Sequence, residues 1–326
     1  MTRHGVGIAA ELVDAPAAVL RQSEFLKAPL ADLAARLVHN PPAVVVTCAR
    51  GSSAHAATFA KHLIERHLGI PVAAAAPNIS SVYRQTLRLR GQLFLAISQS
   101  GMSDDLVETT AAARASGALT VALVNEPKSP LAAAANIVLP MAAGPELAVA
   151  ASKTFIASLA AVLRLTAEWM NNADMRAACE RLPARLDHAA RLDWSEALVP
   201  LVNASSLVAI GRGPTLAIAR EAALKLKETC ALHAEAFSSA EFRHGPIALV
   251  SSAYPILVLA PTDESALGLS DLVADLRREG ACALVAEPGE KSSGRLPALP
   301  PDQPDADAIC LIQSFYAFLV RLAARR

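Results

Sequence analysis

Glu221-Ala-Ala-Leu-Lys-Leu-Lys-Glu228 precedes His233-Ala-Glu235 and Glu241-Phe-Arg-His244-Gly-Pro246, so carboxylates, lysines and imidazoles crowd one short stretch of the chain. At 3.6 residues per turn Glu221, Lys225 and Glu228 fall on one helix face. Moving protons on a sugar needs such groups: a carboxylate that carries a proton between carbons and an imidazole that opens the ring. The same spacing suits a solvated ladder of ion pairs. Helix spacing alone leaves both readings open.

A second group lies earlier. Ser98-Gln99-Ser100-Gly101-Met102-Ser103-Asp104 ends an apolar run and opens a polar one. Its hydroxyls, amide and glycine, with the N–H groups of a helix start, could hold a phosphate with neutral donors. N-capping of the next helix is the plainer alternative. Arg50-Gly51-Ser52-Ser53-Ala54-His55 follows another apolar run. Loops after neighbouring parallel strands converge at the carboxyl ends of the sheet, which strengthens the phosphate reading.

The elements that must position these groups form an α/β pattern. Apolar runs at 44–47, 71–75, 93–98, 119–124 and 137–140 read as buried parallel strands, with helices over 55–67, 104–116 and 149–170 between them. The pattern then repeats. Arg212-Gly213 after the run 207–210 matches Arg50-Gly51 at an offset of 162, and the run 255–259 matches 93–97 at the same offset. Cys282-Ala-Leu-Val-Ala-Glu-Pro288 matches Val121-Ala-Leu-Val-Asn-Glu-Pro127 at an offset of 161. The expected fold is two tandem α/β domains, each a doubly wound parallel five-stranded sheet flanked by helices. The expected boundaries are a helical arm over 1–40, a first domain over 41–171 with the phosphate site, a connector over 172–200 and a second domain over 201–326 with the catalytic helix. Where the first repeat has its Ser loop, the second has Ala260-Pro261-Thr262-Asp263-Glu264-Ser265, a poor anion site by composition.

Thirty basic residues balance thirty acidic ones, so no overall field points to nucleic acid or membrane. With 53% apolar and 18% charged residues, much of the chain must be buried or lie at a subunit interface. The most apolar window, 129–151, is interrupted by Pro130, Asn136, Pro140, Pro145 and Glu146 and reads as no membrane span. Five scattered cysteines without metal or disulfide spacing read as reduced thiols of a cytoplasmic protein. No metal cluster or nucleotide fingerprint is evident, and no cofactor is expected.

In order along the chain, Gly51-Ser-Ser, Ser98-Gln-Ser-Gly, Glu146-Leu-Ala-Val-Ala-Ala-Ser-Lys153, the 221–228 motif, His233-Ala-Glu235 and His244-Gly-Pro246 resemble the SIS (sugar isomerase) family. Within it the chain is similar to the isomerase half of glutamine–fructose-6-phosphate amidotransferase and to glucosamine-6-phosphate deaminases built on that fold. The resemblance implies that Ser53, Ser98, Gln99, Ser100 and Ser103 line a phosphate site, and that Ser52, Val149 and Ala150 touch the sugar. It implies Glu228 as the proton-transfer base, His244 as the ring-opening group reaching in from the partner of a homodimer with shared active sites, and Lys225 beside the sugar. Lys153 is expected to support the 149–152 loop rather than act as a nucleophile, Glu146 to be a local anchor, and His233 to be structural.

The sequence departs from that relative in having no glutaminase segment, no Cys near residue 1 and no lysine after Lys291. Release of ammonia from glutamine is therefore not expected. The implied reaction runs downhill: glucosamine 6-phosphate and water give fructose 6-phosphate and ammonia. The alternatives are an aldose–ketose phosphosugar isomerase, a fructosamine-phosphate deglycase and a non-catalytic sugar-phosphate sensor.

Overall fold

The computed structural model describes residues 3–326 except Val149 and Lys291. Two five-stranded parallel sheets organise it. The first contains β1 (Val45–Ala49), β2 (Val72–Ala74), β3 (Leu93–Ser98), β4 (Leu119–Val124) and β5 (Ile137–Pro140), in the order β2-β1-β3-β4-β5. The second contains β6 (Ser206–Gly211), β7 (His233–Ser238), β8 (Pro255–Leu259), β9 (Cys282–Glu287) and β10 (Arg295–Pro297), in the order β10-β9-β8-β6-β7. Read from the opposite edge, the second order is that of the first. The duplication inferred from the offsets is thus a duplication of topology, and the tandem doubly wound α/β class holds.

The longer helices are α1 (Arg3–His39), α2 (Ser52–Leu68), α3 (Asp104–Ala115), α4 (Lys153–Trp169), α5 (Ala173–Ala189), α6 (Thr215–Cys230), α7 (Leu269–Arg278) and α8 (Pro304–Arg325). The chain divides into two compact units. One holds the first sheet and comprises Ala17–Glu146 and Lys153–Glu180; the other holds the second sheet and comprises the stretch up to Pro16, Leu147–Ser152 and Arg181–Arg326.

The central strands read as apolar runs because both of their faces are covered: every residue of β3 and of β8 is buried. In the first sheet Phe94, Ala96 and Val124 pack with Leu106 of α3 and Leu131. In the second, Val208, Ile256 and Val258 pack with Leu272 and Leu276 of α7. Helix α8 alone among the described residues is long and apolar enough to cross a membrane, but 83% of its most apolar window is buried inside the protein. It is the core helix against which α6 packs, through Tyr316 and Glu221.

Candidate active site

Two loops of the first-sheet unit carry the serines. Because β1 and β3 are hydrogen-bonded neighbours, the turns that follow them leave the sheet side by side. Ser52 and Ser53 form the first turn of α2, and Gly51 precedes them with φ 53°. In the Ser98–Ser103 loop the Ser98 hydroxyl accepts the Gly101 N–H at 3.1 Å, and the Ser100 hydroxyl accepts the Met102 N–H at 3.3 Å. A hydroxyl whose oxygen accepts still has its proton to donate. Ser103 stands at the N-cap position of α3 yet closes no side-chain cap bond. The plain capping alternative therefore does not account for these serines. Gln99 and Ser100 are half-buried, and the Gln99 carbonyl accepts from the Asn125 N–H at 3.1 Å.

Gly101 is required here. Its φ is 64°, and a Cβ would lie 2.1 Å from Ser129 Oγ. A contact that the sequence does not advertise ties the two loops together: the Arg50 guanidinium bonds Asp105, with Nε 2.8 Å from Oδ2. Arg50 follows β1, and Asp105 lies in the first turn of α3. That ion pair also counters a carboxylate next to a loop read as anion-binding, and the bond to Asp105 raises the Arg50 pKa further.

The residues after β5 are shaped by side chains gripping backbone. The Lys153 ammonium donates to the Pro145 carbonyl at 2.9 Å, and the Glu146 carboxylate accepts from the Thr154 N–H at 3.0 Å and from its hydroxyl. Lys153 is thus a loop support with its ammonium already engaged. Glu11, buried on α1, accepts the Leu147 N–H at 2.8 Å, a tether that sequence reading missed for want of any local signal. Ala150 is buried, and Val149 lies outside the described residues.

In the second-sheet unit, α6 starts hard against the end of β6. A Cβ on Gly211 would lie 2.3 Å from the Thr215 carbonyl oxygen, so glycine is needed for that approach. The Thr215 hydroxyl donates to the Leu259 carbonyl at 2.7 Å and fixes the first turn. From there the spacing brings Glu221, Lys225 and Glu228 together as expected. Lys225 Nζ lies 2.7 Å from Glu228 Oε2 and 3.5 Å from Glu221 Oε1.

This row is an ion-pair ladder, but it is not solvated. Glu221 and Lys225 side chains are 0% and 1% exposed, whereas Glu228 is 37% exposed. The Tyr316 hydroxyl donates to Glu221 Oε1 at 3.1 Å from α8, a partner 95 residues away that spacing could not reveal. Only the Glu228 end of the row is open to a reactant. Lys225 is enclosed by carboxylates, so its reach is to Glu228 rather than to solvent.

His244 is exposed in the turn after a short helical segment, its N–H bonded to the Glu241 carbonyl at 3.0 Å. Gly245, with φ 146°, lets the chain turn there. His233 opens β7, also exposed. Among the described residues no group of three or more His, Cys, Asp or Glu side chains could hold a metal ion.

Comparison with known proteins decides the family. The SIS domain profile matches residues 43–167 and again 200–286. The chain belongs to the SIS domain family. A candidate phosphosugar isomerase from Silicibacter pomeroyi DSS-3 is 40% identical, with a TM-score of 0.93 over 98% of this chain and 97% of that one. Glutamine–fructose-6-phosphate aminotransferase (isomerizing) of Symbiobacterium thermophilum is 33% identical over 264 residues, 77% of this chain. This SIS protein spans 43% of the length of that relative. A glucosamine-6-phosphate deaminase from Thermotoga maritima shares the fold, with a TM-score of 0.68 over 95% of this chain and 94% of that one, at 20% identity. Membership of a phosphosugar isomerase family makes sugar-phosphate enzymology the frame for both groups of residues.

Proposed function

We propose that this SIS protein is an aminosugar-phosphate deaminase that converts glucosamine 6-phosphate and water to fructose 6-phosphate and ammonia. The observation that carries the reading is the row Glu221–Lys225–Glu228, buried at one end and open at Glu228, as a general base braced by an ammonium would be. The Ser52–Ser53 turn and the Ser98–Ser103 loop with Gln99 hold the phosphate, and Val149 and Ala150 border the sugar. His244 opens the pyranose, supplied by the partner subunit of a homodimer. Glu228 takes the C2 proton of the open-chain aldehyde and returns it to C1, leaving a protonated imine at C2. Water adds at C2, ammonia leaves, and the C2 carbonyl of the ketose remains. Lys225 holds Glu228 in place and lends positive charge near the enolamine intermediate. The reaction as written needs no redox partner, and the setting is cytoplasmic.

The deaminase relative at 20% identity supports the choice only through its fold, and the aminotransferases through their isomerase half. A panel of hexose and hexosamine 6-phosphates, scored for ammonia and for ketose phosphate, tests it. Equal release of both products from glucosamine 6-phosphate is expected. Ketose phosphate from an aldose phosphate without ammonia would make the protein an isomerase. An amino acid released from a fructosamine phosphate would make it a deglycase, and binding without turnover a sensor.

A further inference from the structure

The second sheet has its own counterpart of the phosphate-loop serines. At the offset of 162, Ser53, Ser98 and Ser100 fall on Thr215, Ala260 and Thr262. Strands β3 and β8, which precede the two loops, hold matching places in their sheets. Composition makes the second loop a poor anion site, since Pro261, Asp263 and Glu264 stand where Gln99, Gly101 and Met102 stand in the first. The geometry shows an anion there nonetheless, and it belongs to the chain.

Asp307, near the start of α8 and 6% exposed, places its carboxylate against this loop. The Thr262 hydroxyl donates to Oδ2 at 2.7 Å. The Asp302 N–H lies 3.1 Å from Oδ2 and 3.3 Å from Oδ1, and Arg185 Nη2 donates to Oδ1 at 2.7 Å. Arg185 is itself steadied by the Pro300 carbonyl at 2.9 Å. Thr215, Ala260, Thr262, Arg185 and Asp307 line one small cavity, so the positions that match Ser53, Ser98 and Ser100 border the same space as the carboxylate. Asp263, whose charge would repel an anion, is engaged otherwise: its Oδ1 accepts the Ser265 N–H at 3.0 Å and the Ser265 hydroxyl.

A guanidinium, a hydroxyl and a backbone amide converging on two oxygens form the donor set that holds an oxyanion. We propose that the second repeat retains an oxyanion pocket at the place of the first repeat's Ser loop, and that the Asp307 carboxylate is its resident ligand. The pocket is thereby closed to any phosphate in solution. It also pins the start of α8 to the end of β8, and α8 carries Tyr316, which bonds Glu221. Burial raises the Asp307 carboxyl above its ordinary range, while Thr262, the Asp302 N–H and Arg185 pull the other way. None of these contacts depends on which sugar phosphate the protein converts.

The probe is inorganic phosphate, titrated by calorimetry into wild type and Asp307→Ala. The variant is expected to bind one more phosphate per chain than wild type. That extra site should vanish in Asp307→Ala/Arg185→Leu and survive in Asp307→Ala/Ser100→Ala. The last arm separates it from the first loop whether or not that loop binds phosphate. No extra phosphate in Asp307→Ala, or an extra one indifferent to Arg185, overturns the assignment. Where Asp307→Ala does not fold in chloride, refolding at equal ionic strength in phosphate decides. Recovery in phosphate that Arg185→Leu abolishes supports the pocket, and failure in both salts rejects it.

Discussion

Lys225 places its ammonium 2.7 Å from Glu228 and 3.5 Å from Glu221, so one buried cation sits between two carboxylates of its own helix. A charge at 1% exposure is tolerable because those neighbours replace water. Removing it leaves the Glu221 carboxylate, at 0% exposure and bonded by the Tyr316 hydroxyl, without the ammonium that offsets its charge. Lys225→Met should therefore cost roughly 3–5 kcal/mol, the range for breaking a buried pair from one side. Denaturant unfolding measures it. Glu228→Gln, at the exposed end, should cost far less. A Lys225→Met protein as stable as wild type would show that the row is not braced in this way.

The two loop glycines should respond differently to alanine. Gly51 has φ 53° with nothing within 4 Å of an added Cβ, so only the left-handed backbone is strained, about 1–2 kcal/mol. Gly101 has φ 64° and would also drive its Cβ into Ser129, 2.1 Å from Oγ. Gly101→Ala should thus be the more destabilising and should raise KM for the sugar phosphate more than Gly51→Ala does. Ser100→Ala with Ser103→Ala should raise KM while leaving stability nearly unchanged, each lost bond to phosphate being worth roughly 1.5–3 kcal/mol. Equal KM values across all three variants would remove the Ser loop from phosphate binding.

Strands β3, β4 and β5 were legible to the residue, because buried parallel strands leave continuous apolar runs between turn signals. Helix α4 begins at Lys153 rather than at 149. Glu146, Lys153 and Glu11 bind the backbone of Thr154, Pro145 and Leu147 through their side chains, and such grips leave no periodic mark. Strand β10 went unread because three residues ending in proline carry no run. On α6 the face shared by Glu221, Lys225 and Glu228 followed from helical spacing. At its Glu221 end the row is covered by α8, whose Tyr316 is distant in sequence. The Arg50–Asp105 tie and the Asp307 contacts are likewise long-range pairings of common residues.

The cysteines separate by environment. Burial pushes the Cys48 and Cys179 thiols up to about 12, and Cys310 to about 12 as well. Next to Cys48, Asp105 adds to the rise and Arg50 offsets part of it. The thiolate is the reactive form, so a raised thiol in the interior is nearly inert at neutral pH. Cys282 is half-buried where the other four cysteines are buried, and burial raises its thiol too. Brief alkylation of the native protein with iodoacetamide near pH 8, followed by peptide mapping, should label Cys282 first. Cys48 should react only after denaturation. Early labelling of Cys48 would mean that the end of β1 opens far more readily than its packing implies.

The chemistry is tested most directly by separating the base from the ring-opener. Glu228→Gln keeps the shape of the side chain and loses the base, so sugar-phosphate binding should stay within a few fold while turnover falls by roughly 10²–10⁴. Exchange of the C2 hydrogen with solvent should fall in parallel, because the same carboxylate removes that proton. His244→Ala should instead hurt the cyclic substrate more than an open-chain analogue, since only the former needs ring opening. His244 is exposed in its own chain, which leaves it available to a partner. Mixed dimers of Glu228→Gln and His244→Ala subunits should then recover part of the activity, because one of their two sites receives both an intact base and an intact imidazole. Verified mixed dimers with no recovery would place both groups of a site in one chain. A Glu228→Gln protein that still releases ammonia and exchanges C2 hydrogen at the wild-type rate would leave the Glu221–Lys225–Glu228 row as a buried structural ladder and nothing more.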